Sequence, residues 1–90
     1  MNTIKISFFA TIRAIIGKKR IQLEIPQGST ISDLKKILAR KYPEAQDAFP
    51  GMLTSINRVF SQDHGLIPED AEVAFFPHIA GGSWAESSEG

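Results

Sequence analysis

Ser29-Thr30-Ile31-Ser32-Asp33-Leu34-Lys35-Lys36-Ile37-Leu38-Ala39-Arg40-Lys41 is the one stretch of this chain with a full set of helix signals. Leu34, Ile37 and Leu38 recur at i, i+3 and i+4, an apolar stripe along one side of a helix. Thr30 stands where a hydroxyl caps free N–H groups, and Asp33 puts a negative charge in the first turn. Arg40 and Lys41 put positive charge in the last turn. Tyr42-Pro43 ends the helix, because a residue preceding proline is pushed out of helical backbone. A helix with one stripe must bury it against another layer, and both flanks of this one read as strand.

Upstream, residues 3–9 alternate: Ile4, Ile6 and Phe8 face one way, Lys5, Ser7 and Phe9 the other. Ala10 to Gly17 is a short apolar stretch of one or two helical turns closed by glycine. Lys18-Lys19-Arg20 follows as a polar connection. Ile21, Leu23 and Ile25 then alternate with Gln22 and Glu24, so the two strands form a hairpin with a broad connection. Pro26-Gln27-Gly28 stops the second strand.

Downstream, residues 44–51 read as a loop with a short turn. Residues 52–56 and 59–61 read as strands around the tight turn Asn57-Arg58, residues 62–70 as irregular, and residues 72–76 as the last strand. That last strand needs a partner, and the first, most apolar strand is the candidate to lie beside it. An α+β fold follows: a mixed sheet wrapping one main helix, the β-grasp arrangement. The expected core is Ile4, Ile6, Phe8, Ile21, Leu23, Ile25, Leu34, Ile37, Leu38, Ile56, Val73 and Phe75. Residues 1–82 form one domain, and residues 83–90 a flexible polar tail.

Bulk properties narrow the function. Ninety residues make one small domain with a modest core, which argues for a carrier, binding module or subunit over a self-contained enzyme. Ten basic and ten acidic residues cancel, so net charge gives no pull toward nucleic acid or anionic membrane. The absence of cysteine removes disulfides, thiolate metal sites and sulfur carriage on a side chain. No apolar run approaches the ~20 residues of a membrane span, and the N-terminus does not read as a signal peptide; the expected location is the cytoplasm.

Individual residues have bland readings beside sharper ones. His64 and His78 lie on separate irregular segments and read as exposed loop histidines, not metal ligands. Lys18-Lys19-Arg20 reads as a solvated connection before a nucleic-acid patch, since no aromatics interleave it. Ser29, Ser55 and Ser61 have no histidine at a suggestive spacing, and Asp63, Glu69 and Asp70 read as acidic turn residues. Phe9 and Phe76 fall on the sheet face opposite Phe8 and Phe75. They either pack under residues 11–17 or form an apolar docking surface for a larger partner. Gly81-Gly82 alone reads as a linker or turn.

Two segments resemble the molybdopterin synthase small subunits, a family of ubiquitin-like sulfur carriers. One is Ile6-Ser7-Phe8-Phe9-Ala10 with Arg13 and Gly17. The other is Glu69-Asp70-Ala71-Glu72-Val73-Ala74-Phe75-Phe76-Pro77-His78-Ile79-Ala80-Gly81-Gly82. Family members commonly show an acidic turn, Asp-Glu-Val-Ala, two large apolar residues, Pro-Pro, a small or β-branched residue or two, and Gly-Gly. Here Asp70-Ala71 replaces the usual Gly-Asp and His78 the second proline. The second glycine is normally the C-terminus, whereas eight residues follow it in this chain.

The resemblance implies a non-catalytic carrier. The terminal glycine carboxylate is adenylated by an activating enzyme using ATP and converted to a thiocarboxylate with a sulfur-donor system. It then gives sulfur to a cyclic pterin precursor held by the larger, catalytic subunit. Gly82, supported by Gly81, is thereby the working residue, and residues 83–90 must be removed first. Phe9, Phe76, Pro77, His78, Ile79 and Ala80 are the expected partner contacts. No metal, permanently bound cofactor, nucleic acid or membrane is expected. Two glycines suit a segment that threads into another protein, and Pro77 stiffens its base. Three rivals stay open: a ubiquitin-like protein modifier, a thiamine-pathway sulfur carrier, and a β-grasp RNA-binding module resting on Lys18-Lys19-Arg20.

Overall fold

The computed structural model describes residues 1–77. Five strands, β1 (Asn2–Phe8), β2 (Arg20–Ile25), β3 (Leu53–Ile56), β4 (Val59–Ser61) and β5 (Glu72–Phe76), form one sheet in the order β2-β1-β5-β3-β4. Strands β1 and β5 run parallel with Phe8 opposite Phe75, and every other neighbouring pair is antiparallel. The first strand is thus the partner that the last one needs. Asn57 and Arg58, both at positive φ (50° and 72°), make the tight turn between β3 and β4. Helix α1 (Ala10–Ile16) joins β1 to β2 and closes on Gly17 at φ 80°, where a side chain would be strained.

Helix α2 (Ile31–Lys41) lies across one sheet face and starts in a capping box: Asp33 N–H donates to Thr30 Oγ1, and Thr30 N–H donates to Asp33 Oδ2. Its next free donors find distant acceptors. Ile31 N–H donates to Gly65 O at 3.0 Å and Ser32 N–H to Asp63 O at 2.8 Å. The irregular stretch between β4 and β5 therefore takes up the start of α2. Lys35, buried on α2, donates to Met52 O at 3.0 Å and to Asp63 Oδ1 at 2.8 Å, tying the helix to both ends of the β3–β4 hairpin.

Of the expected core, Ile4, Ile6, Phe8, Ile25, Leu34, Leu38, Val73 and Phe75 are buried. Ile21, Leu23, Ile37 and Ile56 are only partly buried: β2 is an edge strand, and Ile37 sits on the flank of the helix stripe. Ile12 and Ile16 of α1 and Ile31 of α2 also belong to the core, as do Tyr42, Ala45, Phe49, Met52, Ile67 and Ala71 from connecting segments. Phe8 stacks on Phe75 with centroids 6.1 Å apart, and Phe49 meets Phe75 edge-on at 5.6 Å. Phe9 is not part of β1; it caps α1 in extended backbone. The expected flexible tail over residues 83–90 lies outside the described residues.

Candidate docking site on the sheet face and the base of the C-terminal segment

The side chains of β1 that avoid the core are Thr3, Lys5 and Ser7, and those of β5 are Glu72, Ala74 and Phe76. They share the sheet face that α2 leaves uncovered. Because Phe8 pairs with Phe75, the residues that follow them, Phe9 and Phe76, meet at one end of this face. Their rings stack with centroids 4.9 Å apart and planes 7° from parallel. Phe60 of β4 joins at 5.9 Å from Phe76. Phe9 keeps 42% of its surface exposed and Phe60 58%. As to the two readings of these aromatics, the ring contacts are with each other and with Phe60, while α1 sends Ile12 and Ile16 into the core.

Below the aromatic cluster the face is shallow. Ser7, Ala74 and Ser55 lie side by side on β1, β5 and β3, leaving a concavity of about 340 Å³ walled by Phe9, Phe60, Phe76, Arg20, Arg58 and Glu72. Arg58 approaches Glu72 only at 4.0 Å with both side chains exposed, a pair of little energetic weight. Among the described residues no histidine lines the concavity beside these serines, and no three His, Cys, Asp or Glu gather as a metal site. The described arrangement offers an apolar cluster beside a shallow, partly polar concavity.

Of the expected contact residues, Phe9 and Phe76 stack here and Pro77 directly follows Phe76. His78, Ile79, Ala80, Gly81 and Gly82 lie outside the described residues. Phe60 belongs to the same cluster, and nothing local in the sequence sets it apart from any other exposed strand residue. His64 sits exposed in the β4–β5 connection, away from the cluster. No helix among the described residues is long and apolar enough to cross a membrane.

The pattern of the ThiS family matches residues 6–82, most of the chain and as far as the second glycine. The chain belongs to this family. A molybdopterin synthase sulfur carrier subunit from Dictyostelium discoideum is 31% identical over 84 residues, covering 90% of this chain and 98% of its own length. Small archaeal modifier protein 1 of Haloferax volcanii superposes with a TM-score of 0.79 at 14% identity, covering 88% of this chain and 100% of that one. A chain from the complex of subunits 1 and 2 of the Helicobacter pylori molybdopterin-converting factor superposes at 0.62 and 12% identity, covering 89% and 99%. At these identities the two structures establish the β-grasp, ubiquitin-like fold that the family member here shares.

Proposed function

We propose that this chain is the sulfur-carrier subunit of molybdopterin synthase, acting in the cytoplasm for molybdenum cofactor biosynthesis. The match to the ThiS family through Gly82, with relatives named as sulfur carrier subunits of that synthase, carries the reading. In this reading a Gly82 carboxylate oxygen attacks the α-phosphate of ATP on an adenylating enzyme and pyrophosphate leaves. Sulfur from a donor system then displaces AMP, giving a thiocarboxylate. The chain carries this sulfur to the larger subunit and supplies no acid or base. Phe9 and Phe76 dock that subunit, and the segment from Pro77 through His78, Ile79 and Ala80 leads the two glycines into it.

In the 90-residue chain the Gly82 carbonyl is held in an amide with Ser83, and an amide oxygen is a poor nucleophile. A chain ending at Gly82, given the activating enzyme, ATP and a sulfur donor, should gain the mass of one oxygen exchanged for sulfur, located on Gly82. The 90-residue chain should not. Thiocarboxylation of an intact chain at Gly90 would sink this assignment of the working end. Phe76→Ala should weaken heterodimer formation more than it lowers thermal stability. The reverse result would make Phe76 a folding residue and move the interface elsewhere.

A further inference from the structure

The uncovered sheet face has a charge polarity. In register across all five strands run Arg20 on β2, Ser7 on β1, Ala74 on β5, Ser55 on β3 and Phe60 on β4. A guanidinium stands at one end of this row, an aromatic ring at the other, and the shallow concavity lies between. Behind Arg20 come Lys18 and Lys19. The Lys19 carbonyl accepts from Phe8 N–H at 3.0 Å, which pins this loop beside the strand leading to Phe9. Arg13, Lys18 and Lys19 border one depression with Gly17 at the C-terminal end of α1. The ion pairs among the described residues are Lys35–Asp63 and Arg58–Glu72, so none of these four cations is paired there. The acids nearest along the face are Glu72, already approached by Arg58, and Glu24, which lies opposite Thr3 further along β2.

Four cations within residues 13–20 are thus gathered without an ion-pair partner among the described residues, in a chain whose net charge is zero. They stand at the end of the sheet from which Pro77 leaves, because β1 and β5 end there together and β2 begins there. Any protein that admits the C-terminal segment covers this region as well.

We propose that Arg13, Lys18, Lys19 and Arg20 pair with an acidic patch on the larger subunit while an apolar side chain of that subunit fills the Ser7–Ala74–Ser55 concavity. This rests on the reading that the C-terminal segment works inside such a subunit, and it names the chemistry of the surface around the entrance. Charge at one end and apolar contact at the other fix a single docking orientation. The charges also speed encounter from a distance beyond the reach of the apolar contact. Within residues 13–20 no aromatic interleaves the cations to stack bases.

The test uses the chain ending at Gly82, which keeps every described residue and hence the whole core. Lys19→Glu/Arg20→Glu, Ala74→Leu and the remote Lys36→Glu are compared with wild type for binding to the larger subunit. Association rate and Kd are measured at low and high salt. The double reversal should weaken binding by about tenfold or more at low ionic strength, mostly through association rate, and by much less at high salt. Ala74→Leu should weaken binding at both salts by filling the concavity, and Lys36→Glu should change little. Circular dichroism checks that each variant is folded. If wild type binds and the double reversal behaves like Lys36→Glu, the docking inference falls while the carrier function stands. If wild type does not bind the larger subunit at all, both fall. If the reversal leaves subunit binding intact but abolishes retention of a single-stranded RNA probe, the cations serve nucleic acid and the inference is overturned.

Discussion

Removing Asp63 should cost this protein more stability than removing Lys35, although the two form one ion pair. The ammonium of Lys35 belongs to a side chain only 8% exposed, while the Asp63 side chain is 59% exposed. In Asp63→Ala the buried ammonium keeps one acceptor, Met52 O at 3.0 Å, and loses its only carboxylate. Losing the partner of a fully buried ion costs roughly 3–5 kcal/mol, and a hydrogen bond to a charged group contributes about 1.5–3. Because one half of this pair is solvated, about 1.5–3 kcal/mol is expected. In Lys35→Met the aliphatic stem is kept, the freed carboxylate is hydrated, and the main loss is the donor to Met52 O, about 1 kcal/mol. The double variant Lys35→Met/Asp63→Ala should therefore be more stable than Asp63→Ala alone. Urea unfolding with unchanged m-values reads all three differences. If Asp63→Ala costs under about 0.5 kcal/mol, or the double variant is the least stable, burial of the ammonium is not what makes the pair matter.

Leu38 is fully buried on α2, so Leu38→Ala should cost about 2–5 kcal/mol in urea unfolding. A change under about 0.5 kcal/mol would mean that the helix register is wrong. Asp33 is held below its ordinary value of 3.8, first by the Thr30 backbone N–H and then by the Thr30 hydroxyl. The unfolded chain thus binds the proton more readily, and the stability contributed by this carboxylate is present above that value and is lost as pH falls through the lower, folded one. The stability advantage of wild type over Asp33→Asn should accordingly shrink on acidification through and below pH 3.8, as followed by urea midpoints. Asp70 sits at φ 56° where the family usually carries glycine; Asp70→Gly should raise stability by up to about 1 kcal/mol, visible as a higher Tm, and a lower Tm would count against strain at this turn.

The strands and α2 were legible because each follows one repeat, two residues for a strand and 3.6 for the helix. The same alternation placed Phe9 and Phe76 off the core face. What stayed hidden depends on residues far apart in the chain. Residues 62–70 read as irregular because the Asp63 and Gly65 carbonyls accept from α2, some thirty residues earlier, and no local pattern signals such a bond. Asn2 is similar: its amide donates to Pro68 O and accepts from Asp70 N–H, both at 2.9 Å, clamping the turn before β5. Lys35 falls beside the Leu34–Ile37–Leu38 stripe and reads as solvated until Met52 and Asp63 are seen around its ammonium. Tyr42 and Phe49 lie in connections, where burial is set by what packs above them. Phe60 enters the aromatic cluster only through the sheet order, which puts β4 two strands from β5 and its ring within reach of Phe76.

Under the proposed function, strand β5 joins the fold to the working end at Gly82. It is hydrogen-bonded on both sides, to β1 and β3, and it buries Val73 and Phe75 while presenting Ala74 and Phe76 to the uncovered face. A central strand frays less than an edge strand, so Pro77 starts from a fixed point relative to Phe9, Phe60 and the cationic loop. From there five residues, 78–82, lead to the second glycine. A chain segment extends at most ~3.3–3.6 Å per residue, so Gly82 reaches no further than about 18 Å from its base. A partner that takes sulfur from Gly82, as proposed, therefore holds its reaction centre within that radius of Pro77. An interface on the α2 side of the sheet would spend most of the reach on turning the edge of the domain. For sulfur delivery as proposed, that limit favours docking at the end of the sheet where Phe9 and Phe76 stack.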